Sequence, residues 1–375
     1  MRFSKLVKSN EKFCNGEQER LETKLRLNIS KWAQNTLWRD LELFQPDLYD
    51  PETTKALPSP FLNQILSHFY GQAESSIALR LENQRNAYSL TLRNVIPAES
   101  QKKVIQALLI EARDKLIEKK EIRSQGKGYE LYFRIGKDFL EYLLSDGQQE
   151  AEYYDDNVGS YIKTLLEEYC QLSHIERSKI YNKGHIQNIE DAVRNENLLK
   201  VVLVSKSKSP RSANNIMYVK PVGIREDTEH LYSYLVGLMS STREAPWNIG
   251  SIRLSSILSC KEQKHKSCIS KEEYKQMETA IKTKGVQYIS DTQDTQRVVV
   301  EFTEYGEKMF RSILHLRPHC TGKMENRQYE FNCTLRQADN YFFRFGHNAK
   351  ILEPCSLAEQ FERKYRNAAQ KYRKE

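Results

Sequence analysis

Between Leu198 and Leu258 the chain carries four short apolar runs, and their succession constrains the fold more than any other feature. They are Leu198–Val204, Met217–Ile224, Leu231–Leu238 and Ile249–Leu258, separated by polar or Gly/Pro-containing turns. Runs of this length, rich in Val, Ile, Leu and Tyr, form consecutive short strands. A small β-barrel or sandwich buries such strands, so the middle of the chain is all-β.

The flanks have a different period. Residues 20–44 read as helical through Leu21, Leu25, Leu27, Ile29, Trp32, Leu37, Leu41 and Phe44, and a phase shift near Asn28–Ser30 predicts two short helices and a turn. Pro46, Pro51, Pro58 and Pro60 then mark a linker. Over about 101–122, Val104, Leu108, Ala112 and Leu116 form the stripe of an amphipathic helix whose other face is basic. Gly126-Lys127-Gly128 and the strand-like stretch Tyr129–Ile135 follow. Two readings stand for this run: a winged helix, or an amphipathic helix before an edge hairpin. Residues 160–196 read as helices, and 260–294 as a lysine-rich region holding a helix. From 296 a β-α-β-α-β-α alternation ends in a helix striped by Leu357, Phe361, Tyr365, Ala369 and Tyr372. The expected class is α+β, divided into residues 1–150, a helical linker 151–196, the β-barrel 197–260 and an α/β extension 295–375.

Composition narrows the function. With 39% hydrophobic and 29% charged residues among 375, the chain can bury real cores. No run approaches the ~20 apolar residues of a membrane span, and the first residues lack the apolar core of a signal peptide, so a soluble cytoplasmic protein with no membrane partner is expected. The seven cysteines are dispersed without a Cys-x-x-Cys. Cys260, His265 and Cys268 lie close in sequence but lack a fourth ligand at metal spacing, although His315, His319 or Cys320 could supply one from afar. Free thiols and no metal site are the expectation. Phosphate loops, dinucleotide fingerprints, nucleophile elbows and His-Glu-x-x-His are all missing. Asp155-Asp156 reads as a solvated turn, and Asp291 and Asp294 fall in a polar loop. The sequence thus points to no enzyme and no cofactor. Charge is uneven: residues 201–375 hold 29 Lys and Arg against 20 Asp and Glu, whereas the first 200 residues sum to −1. Such a basic half suits a polyanionic partner.

Residues 185–373 resemble the WYL-domain proteins, mostly bacterial transcriptional regulators with a C-terminal extension. The lead-in helix His185–Val193 is similar to theirs, as are Val219-Lys220-Pro221-Val222-Gly223-Ile224 and Leu231–Gly237, where Ser233 replaces the usual Trp. Ile252-Arg253-Leu254-Ser255-Ser256-Ile257 sits where the family has Arg-Leu-Asp-Arg-Ile, and Ser251 stands where a second arginine is common. Phe343-Arg344-Phe345-Gly346, then Ile351-Leu352-Glu353-Pro354 and a closing helix, match the extension. The resemblance implies an Sm-like (SH3-type) barrel that senses a nucleic-acid or nucleotide ligand and signals to an N-terminal winged helix.

By that resemblance the ligand face comprises Ser205, Ser207, Tyr234 and Arg253, supported by Lys206, Lys208 and Lys220. Arginine's planar fork pairs with phosphate and stacks on bases. A core aromatic remains the alternative for Tyr234, and a surface ion pair for Arg253. Asn35-Thr36-Leu37-Trp38-Arg39-Asp40-Leu41 resembles the recognition-helix stretch of such regulators. Lys31, Trp38 and Arg39, with Lys119, Lys120 and Lys127, are the expected DNA contacts. The function implied is a DNA-binding regulator, a homodimer because regulators of this kind read paired half-sites. The alternative is a nucleic-acid-binding accessory protein of a phage-defence or CRISPR system.

Overall fold

The computed structural model describes residues 1–17, 21, 23–45, 57–93, 95–204, 215–227, 229, 231–244, 246–292 and 294–372. The chain divides into two compact units, Met1–Lys183 and Gly184–Glu375.

The first unit runs α1 (Phe3–Cys14), β1 (Lys24–Ser30), α2 (Lys31–Phe44), α3 (Ser59–Phe69), α4 (Ile77–Leu92), α5 (Ala98–Ser124), β2 (Gly128–Arg134), α6 (Lys137–Leu144), α7 (Val158–Gln171) and α8 (His174–Tyr181). Residues 24–30, expected to be helical, form a strand. Leu25, Leu27 and Ile29 are buried while Lys24, Arg26 and Asn28 are exposed, which is the two-residue period of a half-buried strand. Ser30 ends the strand and caps α2, its hydroxyl accepting from the Ala33 amide at 3.0 Å. The Gly126–Gly128 turn leads into β2 as expected, but β2 pairs antiparallel with β1, about a hundred residues upstream, and not with a neighbouring hairpin strand. Helix α5 forms near its expected limits, yet Leu116 alone of its residues is buried. Residues 158–171, read as part of a linker, form α7 with Tyr161, Leu165 and Tyr169 in the core.

The second unit begins with α9 (Lys183–Arg194), followed by β3 (Asn197–Leu203), β4 (Asn215–Glu226), β5 (Ser233–Ser240), β6 (Asn248–Arg253) and β7 (Ile257–Lys266). These strands form one antiparallel sheet in the order β6-β5-β4-β3-β7. A closed barrel was expected. Among the described residues β6 and β7 do not pair: a one-turn 3-10 helix, Leu254–Ser256, separates them and β7 pairs with β3, leaving the sheet open. β7 also runs to Lys266, past the expected limit at 260, because an edge strand accommodates the exposed Lys261, Lys264, His265 and Lys266. β5 is buried on both faces. One face meets Ile189 and Ala192 of α9, and the other meets Met277 of α10 (Lys271–Lys284) with Val286 and Ile289 beyond it. Gly237 allows β4 and β5 to approach, since a Cβ there would stand 2.2 Å from the Lys220 carbonyl oxygen.

The extension runs β8 (Gln296–Phe302), α11 (Glu304–Ser312), β9 (His319–Lys323), β10 (Gln328–Cys333), α12 (Leu335–Phe342), β11 (Ala349–Glu353) and α13 (Cys355–Gln370). The strands lie antiparallel in the order β11-β8-β10-β9. This is a β-α-β-β-α-β split arrangement with one more strand, β9, than the expected alternation. Val298, Val300, Phe331, Tyr341 and Phe345 fill its core. Among the described residues no helix is long and apolar enough to cross a membrane.

Candidate functional site

The second unit gathers its polar chemistry at one end of β5. Tyr234 is paired across the ladder with Arg253, the last residue of β6. By the two-residue period, Ile249, Ser251 and Arg253 share one face of β6. Tyr234, Val236 and Leu238 face the same way on β5 and pack with Met277 and Val286. Tyr234 is itself buried, and burial first, then the Asp227 charge, pushes its hydroxyl up to about 12. The half-buried Tyr232 lies nearby, with the Arg253 guanidinium carbon 3.4 Å from its ring centroid. That distance is a flat stack of guanidinium on ring. The Arg253 Nε is buried with no hydrogen-bond partner. Tyr232 also meets the His315 ring edge-on, with centroids 5.6 Å apart.

Beside this stack lie Asp227 and Glu229, which the sequence reading missed, and His315, which it named only as a distant candidate ligand for the Cys260–Cys268 stretch. Asp227 closes the β4–β5 turn, its Oδ1 accepting from the amides of Leu231 at 2.7 Å and Tyr232 at 3.1 Å. Its Oδ2, the Glu229 Oε2 and the His315 Nδ1 are all buried and unpartnered. Burial first, and then the neighbouring Asp227 charge, raise the Glu229 carboxyl above its ordinary range. Burial, followed by the Arg344 charge, holds the His315 imidazole below its ordinary value. A cleft of about 650 Å³ opens against Glu229 and is lined by Lys282, Lys284, Arg317 and His319. Two of these segments flank loops some ninety residues apart, so only the lone His315 between two leucines offered a sequence signal.

Of the other expected ligand residues, Ser205, Lys206, Ser207 and Lys208 lie outside the described residues. Lys220 is paired with Leu238, four residues along β5 from Tyr234 and so about 13 Å away at ~3.3 Å per residue. Its Nζ sits 4.9 Å from the Trp247 ring centroid and 3.5 Å from the Cys268 carbonyl oxygen. The structure thus brings Tyr234 and Arg253 together and sets Lys220 apart. Ser251, where the family often has arginine, donates to the Val286 carbonyl at 2.6 Å and ties β6 to the turn beyond α10.

In the first unit, Lys31 opens α2 and is exposed, as are Arg39 and Lys127. The register Ser30↔Gly128 puts Lys31 and Lys127 at the same end of the β1–β2 ribbon. Trp38 packs partly buried against the core. Lys119 is 2.8 Å from Glu74, and Lys120 donates to the Tyr153 carbonyl at 3.1 Å, so both are already engaged. The ribbon's outer face adds Lys24, Arg26, Tyr132 and Arg134, with Arg26 ion-paired to Glu130. Trp32 is 53% exposed and Tyr132 52%. Basic residues interleaved with exposed aromatic rings are the surface a nucleic-acid backbone and its bases can meet.

Over 93% of its length the chain shares its fold with a crystal structure described as a CRISPR Cas-related protein, 94% of which is covered, with a TM-score of 0.62 and 20% identity. A structure of proteasome accessory factor B/C (PafBC) of Arthrobacter aurescens aligns with a TM-score of 0.26 and 14% identity over 92% of this chain and 54% of that one. No family model and no curated protein matches the chain.

Proposed function

We propose that the chain is a WYL-type, non-enzymatic regulator of the cytoplasm that binds DNA through its first unit and senses a nucleic-acid or nucleotide ligand through its second. The observation that carries this reading is the Arg253–Tyr232 stack beside Tyr234, with a buried Arg253 Nε that lacks a partner. A guanidinium flattened on an aromatic ring offers its remaining donors to a phosphate, and Tyr232 gives a base a stacking plane. The order of the sequence motifs and the basic balance of residues 201–375 support the same reading. Ser205 to Lys208 and Lys220 belong to the proposal as electrostatic support.

Single-stranded oligonucleotide binding by fluorescence anisotropy tests it. Arg253→Ala is expected to weaken binding by one to two decades and to flatten the salt dependence, because a lost phosphate contact releases fewer counterions. Tyr232→Ala should weaken binding by a similar factor, since stacking contributes ~1–3 kcal/mol per base. Tyr234→Phe keeps the ring and its packing and so isolates what the Tyr234 hydroxyl contributes. Wild-type affinity and salt slope in both alanine variants would refute the assignment.

The second reading is an accessory factor of a defence effector that reads no operator, favoured by the fold shared with a CRISPR Cas-related protein. A gel shift with the gene's own upstream duplex separates the two. Binding no tighter than to random duplex at ~150 mM salt supports the accessory role. On the regulator reading, Lys31→Glu with Arg39→Glu abolishes the specific shift. The regulator is also proposed to be a homodimer, to be checked by light scattering. Most of the α13 stripe serves its own domain, with Leu357 and Phe361 buried and Tyr365 stacked on Phe343, so the contact is sought elsewhere.

A further inference from the structure

We propose that Asp227, Glu229 and His315 bind one divalent transition-metal ion. The inference stands apart from the proposed function, since it requires neither DNA binding nor a nucleotide ligand.

Their candidate ligand atoms, one from each residue, all lie within 4.8 Å of one another. A tetrahedron of ~2.1 Å bonds needs separations of about 3.4 Å, so from at most 4.8 Å the three side chains have to close by little more than an ångström. Asp227 is 1% exposed, and its Oδ2 turns into the cluster with no hydrogen-bond donor. The Glu229 Oε2 and His315 Nδ1 are buried and bare in the same way. Buried polar atoms are paired in the great majority of cases, so three bare acceptors converging on one point call for a shared positive partner. Among the described residues no lysine or arginine nitrogen comes within 4.0 Å of either carboxylate, so no ion pair takes that role. The oxygen of Asp227 that faces away is held by the two amides of its turn, which fixes the ligand's orientation as outer partners do in metal sites.

The donor set selects the metal. One imidazole with two carboxylates suits Zn²⁺ or Mn²⁺, whereas Ca²⁺ and Mg²⁺ prefer oxygen alone. The basic lining of the adjoining cleft also disfavours a loosely held hard cation. Three protein ligands leave a coordination position for water or for an oxyanion entering by that cleft. The site would link the β4–β5 turn to the segment after α11, two parts of the unit otherwise distant in sequence.

The test uses the full chain, stripped with chelator and titrated with Zn²⁺ and, separately, Mn²⁺ by calorimetry, with bound metal counted after gel filtration. The expected result is one equivalent of at least one of the two ions per chain. His315→Ala and Asp227→Asn should each weaken binding at least tenfold. Melting of metal-free variants against metal-free wild type identifies any that fail to fold, and His315→Gln then replaces His315→Ala. Wild-type melting should also rise with added metal, because an ion that binds the folded state alone stabilises it. Cys268→Ser should leave binding unchanged. No stoichiometric uptake of either ion by wild type, or uptake that survives the substitutions at 227 and 315, would overturn the proposal. So would loss of uptake in Cys268→Ser with retention in the other variants.

Discussion

Glu150 lies buried in the first unit, its carboxylate accepting from the amides of Ala78 and Leu79 at 3.3 Å each, at the start of α4. Burial raises its pKa to about 7 against those amides, which pull the other way. The folded chain therefore holds a proton that the unfolded chain releases near 4.5. Stability from this group is full below that value and falls as pH rises through 7, by at most about 3 kcal/mol. Glu150→Gln should raise the melting temperature at pH 8 and change it little at pH 5, measured by thermal denaturation in both buffers. Equal shifts at the two pH values would contradict the assignment. Residues of this kind were silent in the sequence: Glu150 stands among acidic neighbours, and only tertiary burial distinguishes it from them. Tyr234 and Arg253 were named from the order of the family-like motifs alone, and the β5–β6 ladder pairs them. The meeting of Asp227, Glu229 and His315 was not legible, because loop closure decides it and loop sequence carries no period.

At the scale of elements, β3, β4 and β5 were legible to within two residues of their limits, since β-branched runs between turn residues have few alternatives, whereas the single strand expected over 249–258 is broken by a 3-10 turn into β6 and the start of a fifth strand, β7, which was not foreseen. β1 was misread because Leu21 and Leu25 match a helical i, i+4 pair, while the Leu25–Leu27–Ile29 alternation is decisive only once β2 is known to pair with it. β9 was missed because its five residues, His319–Lys323, contain no strongly apolar side chain to mark an inner face. The resemblance of Thr36–Leu41 to a recognition helix also conceals a structural duty. Asp40, fully buried in α2, accepts from Arg177 Nε at 2.7 Å and Nη2 at 3.1 Å, and from the Tyr169 hydroxyl at 2.9 Å. This joins α2 to α7 and α8. Removing one partner of a buried pair leaves the other charge uncompensated, at a cost of about 3–5 kcal/mol. Asp40→Ala should therefore lower stability to urea by that amount, while Arg39→Ala, on the exposed side of the same helix, should cost under about 0.5 kcal/mol. Comparable losses in both would mean that the pair does not anchor the helix.

At the scale of the whole molecule, the contact pattern and the chemistry divide at the same place. Met1–Lys183 has a core of its own, from Phe3 to Tyr181, and Gly184–Glu375 has three clusters, one on each face of the five-stranded sheet and one in the extension. At roughly 180–190 residues each unit exceeds the size at which a single chain buries a sufficient core. Fragments 1–183 and 184–375 should each melt in one cooperative transition, followed by circular dichroism. On the proposed function, the charge imbalance predicts how binding divides between them. The excess of positive charge lies in residues 201–375, so the steeper salt dependence toward single strands should travel with fragment 184–375. Duplex binding should travel with fragment 1–183, whose exposed Lys31, Arg39 and Lys127 sit near the aromatic ribbon. Anisotropy titrations of both fragments against both probes read this directly. If the single-strand salt slope followed fragment 1–183, the net charge of the second unit would serve its solubility alone, and the Arg253 stack would lose its part in ligand binding.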